Sequence, residues 1–247
     1  MISNVKQHYD SLLAEHYDWM FGVSFEAKAV EQRKLLEEVG VRPLSDGFAI
    51  DLGCGSGFQS VALNELGYRV LALDSNEKLL GDLTERSQAR AIRVVRGDIR
   101  ELSSFVNRAS ADLVVCMGDT LTHLSHREEV SKLFYSVANI LKPSGLFVMT
   151  YRDLAANELV GLDRFFPVRS DETRIMTCFL EYEGLDTVVV NDLIYVRSHG
   201  GQWVLNKSAY RKLRLGVSWV CDELAAAGMS ITYQRSDRMM VLAARKS

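Results

Sequence analysis

The sequence predicts a doubly wound α/β fold: a seven-stranded, mostly parallel sheet flanked by helices, with an antiparallel meander inserted late in the chain. Three observations predict it. From residue 48 to residue 150, short apolar runs alternate with helix-period segments, the pattern of βαβ units that stack into a parallel sheet. Between residues 174 and 205 the texture changes to apolar/polar alternation split by turn residues, which belongs to antiparallel hairpins. A helix and two short strands then end the chain and bring the main sheet to seven strands.

Each element has its own signal. Residues 9–20 (YDSLLAEHYDWM) and 25–39 carry apolar residues near helical spacing and form an expected helical cap over residues 1–40, closed by Gly40 and Pro43. Residues 48–52 read as a strand that flows into Gly53-Cys54-Gly55-Ser56-Gly57; residues 58–66 follow as a helix ended by Gly67. Residues 69–73 are a strand ending at Asp74, and residues 75–88 a helix capped by Ser75 or Asn76. Strands at 92–95, 113–117 and 146–150, with a helix at 127–141 and a turn at 142–145, complete an expected core over residues 45–151. An expected insertion at 155–215 holds strands at 174–182, 187–196 and 202–205, separated by Glu183-Gly184 and His199-Gly200-Gly201. Residues 216–247 supply a helix at 217–227 and a hairpin of strands 231–234 and 239–243. The whole reads as a single domain of 247 residues.

Composition narrows the function. A net charge of −3, with 25% charged and 47% hydrophobic residues, describes an ordinary globular chain. With no strongly basic stretch, a nucleic-acid partner is not expected. The densest basic cluster, Lys207, Arg211, Lys212 and Arg214, reads as a solvated face. Cys54, Cys116, Cys178 and Cys221 form no C-x-x-C pair and read as small reduced hydrophobes. His123-x-x-His126 has no third ligand in view, so no metal is expected. No run approaches a membrane span and residues 1–18 lack the layout of a secretory leader, so a cytoplasmic location is expected.

The chemical signal is Asp51-Leu-Gly53-Cys-Gly55-Ser-Gly57 followed by Asp74. A glycine at a strand end allows a tight turn with positive φ, and a second lets a ligand lie against bare backbone. The helix N-terminus behind it offers free N–H groups to an anionic ligand group. An acid at the tip of the next strand accepts ribose hydroxyls. The G-x-G-x-G spacing differs from the dinucleotide G-x-G-x-x-G, which disfavours a nicotinamide oxidoreductase.

These residues resemble motif I of class I S-adenosylmethionine (SAM)-dependent methyltransferases. The resemblance covers roughly residues 45–151. It implies the Rossmann-like methyltransferase fold and SAM as cofactor, leaving as S-adenosylhomocysteine. It places Asp51, Gly53, Cys54, Gly55, Gly57, Asp74 and Ser75 around the cofactor, Asp98 and Ile99 at the adenine, and Leu141-Lys-Pro-Ser-Gly145 before the fifth strand. The 9–20 segment resembles the N-terminal piece that closes over SAM in small-molecule enzymes, with Tyr9 on the cofactor and Tyr17 toward the acceptor. The stretch from Val115 to Leu124, with Met117 at the cofactor, resembles the fourth motif of the glycine N-methyltransferase group, except that Asp119 stands where that group has Asn.

By the same resemblance, Arg152 matches the arginine that binds a substrate carboxylate. The expectation is an acceptor whose carboxylate meets Arg152, whose donor group is oriented by Asp119, and whose proton, if it has one, passes to Asp119 or His123. Tyr195 and Tyr210, on the meander, are expected beside that acceptor. An amino or keto acid fits; a secondary-metabolite O-methyltransferase is the alternative. A protein or RNA methyltransferase is a further alternative, although the matching stretch Met117-Gly-Asp-Thr lacks the Asn-Pro-Pro-Tyr run of amide- and adenine-directed enzymes. A non-catalytic SAM-binding module is disfavoured because the motif residues are all present. Pairing of the meander between copies of the chain, giving a homo-oligomer, is compatible with the sequence.

Overall fold

In the computed structural model, which describes residues 2–247, the chain starts as one bent helical segment: α1 (Val5–His8), a π-helical turn at Tyr9–Leu13 and α2 (Ala14–Met20). Asn4 caps it, its side chain accepting from the Gln7 backbone N–H at 2.8 Å. Then follow α3 (Phe25–Glu38), β1 (Phe48–Leu52), α4 (Phe58–Glu65), β2 (Arg69–Asp74), α5 (Glu77–Arg86), β3 (Ile92–Arg96) and β4 (Ala111–Cys116). After a short 3-10 turn at Thr120–His123 come α6 (Arg127–Ile140) and β5 (Leu141–Tyr151). The insertion supplies β6 (Phe165–Ser170), β7 (Arg174–Glu183), β8 (Thr187–Arg197) and β9 (Trp203–Leu213). α7 (Val217–Ala226), β10 (Met229–Ser236) and β11 (Met240–Lys246) return to the main sheet.

Seven strands pair in the order β10-β11-β5-β4-β1-β2-β3, with β11 antiparallel to both its neighbours and the first five strands parallel. The order reverses at β1 and β4, which opens a crevice at the carboxyl ends of these strands, where ligands of such sheets bind. Apolar strand residues are buried on both sides of the sheet: Ile50, Leu52, Leu73, Val114 and Phe147 on one face, Val115 and Val148 on the other. Each such side chain contributes about 1.5–3 kcal/mol of burial, so the strand ends that carry the site sit on rigid backbone.

A separate four-stranded antiparallel sheet, β6-β7-β8-β9, stands over that crevice. Three expectations are corrected here. The third meander strand runs to Leu213, because Asn206 to Lys212 keeps strand pairing with β8 despite its polarity. An additional edge strand, β6, hides behind Pro167 and a register shift; proline is tolerated at a sheet edge, where its missing N–H is not needed. The basic cluster is not one solvated face. Strand alternation sends Lys207 and Arg211 outward but buries Lys212, and Arg214 is buried just beyond, donating to the Leu154 and Gly184 carbonyls at 3.1 and 2.8 Å.

Candidate active site

The glycine loop leaves β1 with Gly53, Gly55 and Gly57 at φ of 69°, 53° and 100°. A Cβ at Gly53 would overlap the Thr120 side chain, and one at Gly55 would press on the Tyr17 ring at 3.1–3.2 Å. Both positions therefore need glycine for conformation and for space. Behind the loop, Asp51 is buried and accepts from Ser60 Oγ at 2.6 Å. Burial outweighs that bond and pushes its carboxyl up to about 7. Asp74 ends β2 with one oxygen accepting from the Gly55 N–H at 2.9 Å and the other from the Asn76 N–H at 2.8 Å. Each oxygen keeps a lone pair for a further donor.

The helical N-terminal segment closes the front. Ser56 Oγ and Arg86 both donate to Asp18, Asn76 donates to Asp10 at 2.8 Å, and Tyr17 packs on Gly55. Tyr9 and Tyr17 are held as neutral phenols by burial. The segment is also tied to the second sheet: Ser3 N donates to the Ala209 carbonyl at 2.8 Å, and buried His8 Nε2 lies 3.0 Å from Asp192 Oδ2. The His8 ring stacks on Tyr210 at 4.1 Å between centroids.

Together these pieces enclose a cavity of about 450 Å³, the size of a small-molecule site. Of the expected residues, Tyr9, Tyr17, Gly53, Gly55, Asp74, Ser75, Asp98, Ile99, Met117, Asp119 and His123 line it. Asp51, Cys54 and Gly57 lie behind the lining and shape the loop. Arg152 stands just outside, paired with Asp119. Tyr195 is not brought to the site. It shares a face of β8 with Leu193, opposite the face of Asp192 and Ile194 that meets the N-terminal segment, and it is exposed.

Several site groups escaped the sequence. Arg100 closes the far end of the cavity and engages the Asp98 carboxylate from its backbone N–H and its guanidinium at 2.6–3.0 Å. A donor on an adenine would have to share or displace it. Asp119 is not a free carboxylate. Arg152 donates to it from the backbone at 2.9 Å and from the guanidinium, and Lys212 Nζ donates to it at 2.8 Å. Burial alone would raise its pKa, but Lys212 and Arg152 outweigh burial and hold it well below the usual carboxylate range. Asp119 is therefore too weakly basic for the expected role of proton acceptor, while Oδ1, which accepts only the Arg152 N–H, keeps a lone pair for a donor group. His123 is partly buried, with its Nε2 buried and unpartnered, between the edges of Tyr9 and Tyr210. Burial first, and then Lys212, push its imidazole down to about 3. Strand alternation could have exposed Lys212, since it shares a strand face with Tyr210; nothing in the local sequence marks His8 or Asp192.

Residues 50–149 match the family model of the methyltransferase domain. Among curated relatives, a cypemycin N-terminal methyltransferase of Streptomyces sp is 34% identical over 122 residues, covering 49% of each chain. A glycine/sarcosine N-methyltransferase of Aphanothece halophytica is 27% identical over 49% of this chain and 44% of its own. The chain thus spans about half the length of these relatives. The fold agrees with the CcbJ methyltransferase of Streptomyces caelestis (TM-score 0.77, 21% identity, 97% of this chain and 98% of that one). It agrees equally with a SAM-bound amino pentose methyltransferase of Micromonospora echinaspora (TM-score 0.76, 17% identity, 94% and 96%). The cavity fits SAM on its own geometry: bare backbone at Gly53 and Gly55, open lone pairs on Asp74 and a nucleoside-sized cavity with neutral walls at Tyr9 and Tyr17.

Proposed function

We propose that this chain binds SAM and methylates the amine of a small acceptor that carries a carboxylate. The observation that carries the acceptor class is the charge balance beside the cavity: two cations, Lys212 and Arg152, share one carboxylate, Asp119. An anionic acceptor completes that balance, whereas a cationic one is repelled. The names of relatives that act on glycine, sarcosine and a peptide N-terminus are in keeping with an amine.

When bound, the cofactor supplies an electrophilic methyl group on a sulfonium sulfur. Asp74 is suited to hold its ribose, Ile99 its adenine and the glycine loop its amino-acid end. Tyr9 and Tyr17 exclude water and hold the methyl toward the acceptor side, where in-line positioning provides most of the rate. An acceptor nitrogen held in line would form the C–N bond with its lone pair as the C–S bond broke, the sulfur keeping the bonding pair. The amine must arrive unprotonated. Lys212 and Arg152 favour that state by disfavouring an ammonium nearby. Neither Asp119 nor His123 is basic enough to be needed as a general base at neutral pH.

The test is SAM turnover over matched acceptors: glycine, sarcosine, larger amino acids, their methyl esters and a simple amino sugar. The acids should exceed their esters at least about tenfold in kcat/KM. Arg152→Ala should erase that preference by raising KM, while affinity for S-adenosylhomocysteine stays put. Esters turned over as well as acids would remove the carboxylate from the reading. The pH profile should rise with deprotonation of the acceptor amine and show no inflection from His123 between pH 5 and 8.

A further inference from the structure

We infer that Lys212 sets the charge of the acceptor this site accepts, by neutralising Asp119 and so leaving the positive charge of Arg152 available. This rests on the reading that Arg152 faces the acceptor.

Lys212 belongs to β9 of the second sheet, yet its side chain is only 7% exposed. A buried ammonium is costly, and an ion pair rarely repays that cost better than an apolar residue of the same volume. Stability is thus a poor reason for a lysine here. Its Nζ lies 2.8 Å from Asp119 Oδ2, whose side chain is 9% exposed. Asp119 already takes the Arg152 backbone N–H on Oδ1 and the guanidinium on Oδ2. Asp119 and Arg152 alone make a neutral pair. Lys212 turns that pair into a cluster of charge +1.

The surplus charge surfaces at Arg152. Its side chain is 58% exposed, against 7% and 9% for the other two. Among the described residues, its Nε and Nη2 make no hydrogen bond within the protein. Asp153, next in the chain, is taken up by the Ala155, Ala156 and Val217 N–H groups, and Asp192 is paired with His8. The outward N–H groups of Arg152 are therefore open to a carboxylate in a planar, two-point contact. Lys212 itself is a positioning residue in this account: it touches Asp119, and acts on the acceptor through the charge it leaves on Arg152.

The experiment titrates the full chain, saturated with S-adenosylhomocysteine, with propionate and with propionamide, followed by two-dimensional amide NMR. Wild type should bind propionate more tightly than propionamide. Lys212→Met should weaken propionate at least about tenfold, the scale of one unit charge a few ångströms away at a half-buried site. The double variant Lys212→Met/Asp119→Asn restores the charge of +1 and should recover propionate binding to within about threefold of wild type. Affinity for S-adenosylhomocysteine should be unchanged in both. Lys212→Met binding propionate like wild type, while Arg152→Ala does not, overturns the role of Lys212 and leaves the acceptor reading standing. Weakening that the double variant fails to restore also overturns it, since Lys212 would then be a packing residue. Propionate binding that survives in Arg152→Ala, or no preference over propionamide in wild type, overturns the acceptor reading itself.

Discussion

The two halves of the cleft are built in opposite ways. The cofactor half is local: Asp51 to Gly57, Asp74 to Asn76 and Gly97 to Ile99 are three short runs at neighbouring strand ends, and much of what they present is backbone. The acceptor half is assembled from single side chains far apart in sequence: His8, Asp119, Arg152, Asp192, Tyr210 and Lys212. A backbone cradle needs glycine at fixed spacing whatever the rest of the chain does. A side-chain cluster needs only complementary groups at one point in space, which many sequences can supply. The first kind of site is repeated across a superfamily and the second is free to diverge.

Four changes would break or sharpen that contrast, the largest first. Asp74→Ala should lower affinity for S-adenosylhomocysteine about a hundredfold by calorimetry, the scale of two charge-assisted hydrogen bonds, while propionate binding beside Arg152 persists. A drop below threefold would mean that the cofactor half is not organised around Asp74. Gly55→Ala should weaken the same ligand about tenfold and destabilise the fold by about 1–2 kcal/mol, because φ is 53° and the Tyr17 ring blocks the new methyl. Chemical denaturation checks the second figure.

Asp51→Asn separates stability from binding. The folded carboxyl titrates at about 7 and the unfolded one near 3.8. Between those values the folded chain keeps a proton that the unfolded chain releases, so this group makes stability fall as pH rises from 4 to 7. The amide removes that slope. The variant should melt higher than wild type at pH 8, by about 2–4 °C for each kcal/mol relieved, and match it near pH 4. Equal melting at both pH values would show that Asp51 is not strained by burial. Arg86→Ala is expected to act least. Its pair with Asp18 is about a third exposed and such pairs are worth about 1 kcal/mol or less. Release of S-adenosylhomocysteine, followed by stopped-flow fluorescence, should quicken about three- to fivefold as the N-terminal segment loosens over the glycine loop.

Legibility follows the same division. The seven-stranded sheet and its strand ends could be read because apolar runs, helix periods and glycine caps repeat down residues 48 to 150. β6 could not, because Pro167 and a bulge break the alternation that marks a strand. The end of β9 could not, because its inner face carries Ser208 and Lys212 in place of apolar residues. Asp119 shows the limit most clearly. In sequence it departs from the Asn of the resembling group and suggests a free acid. In the fold, Lys212 of the second sheet cancels it, so that the charge beside Arg152 is what a neutral residue there would give.

The parallel sheet, the glycine loop with Asp74 at its rim, and the type of cofactor they suit are legible in the chain alone, since each depends on backbone conformation and on spacing within about 25 residues. Which titratable groups remain free is settled by the assembled fold. Whether Asp119 is basic, His123 charged or Arg152 compensated depends on burial and on partners distant in sequence, 93 residues in the case of Lys212 and Asp119. Those energies belong to the assembled interior and not to any stretch of chain.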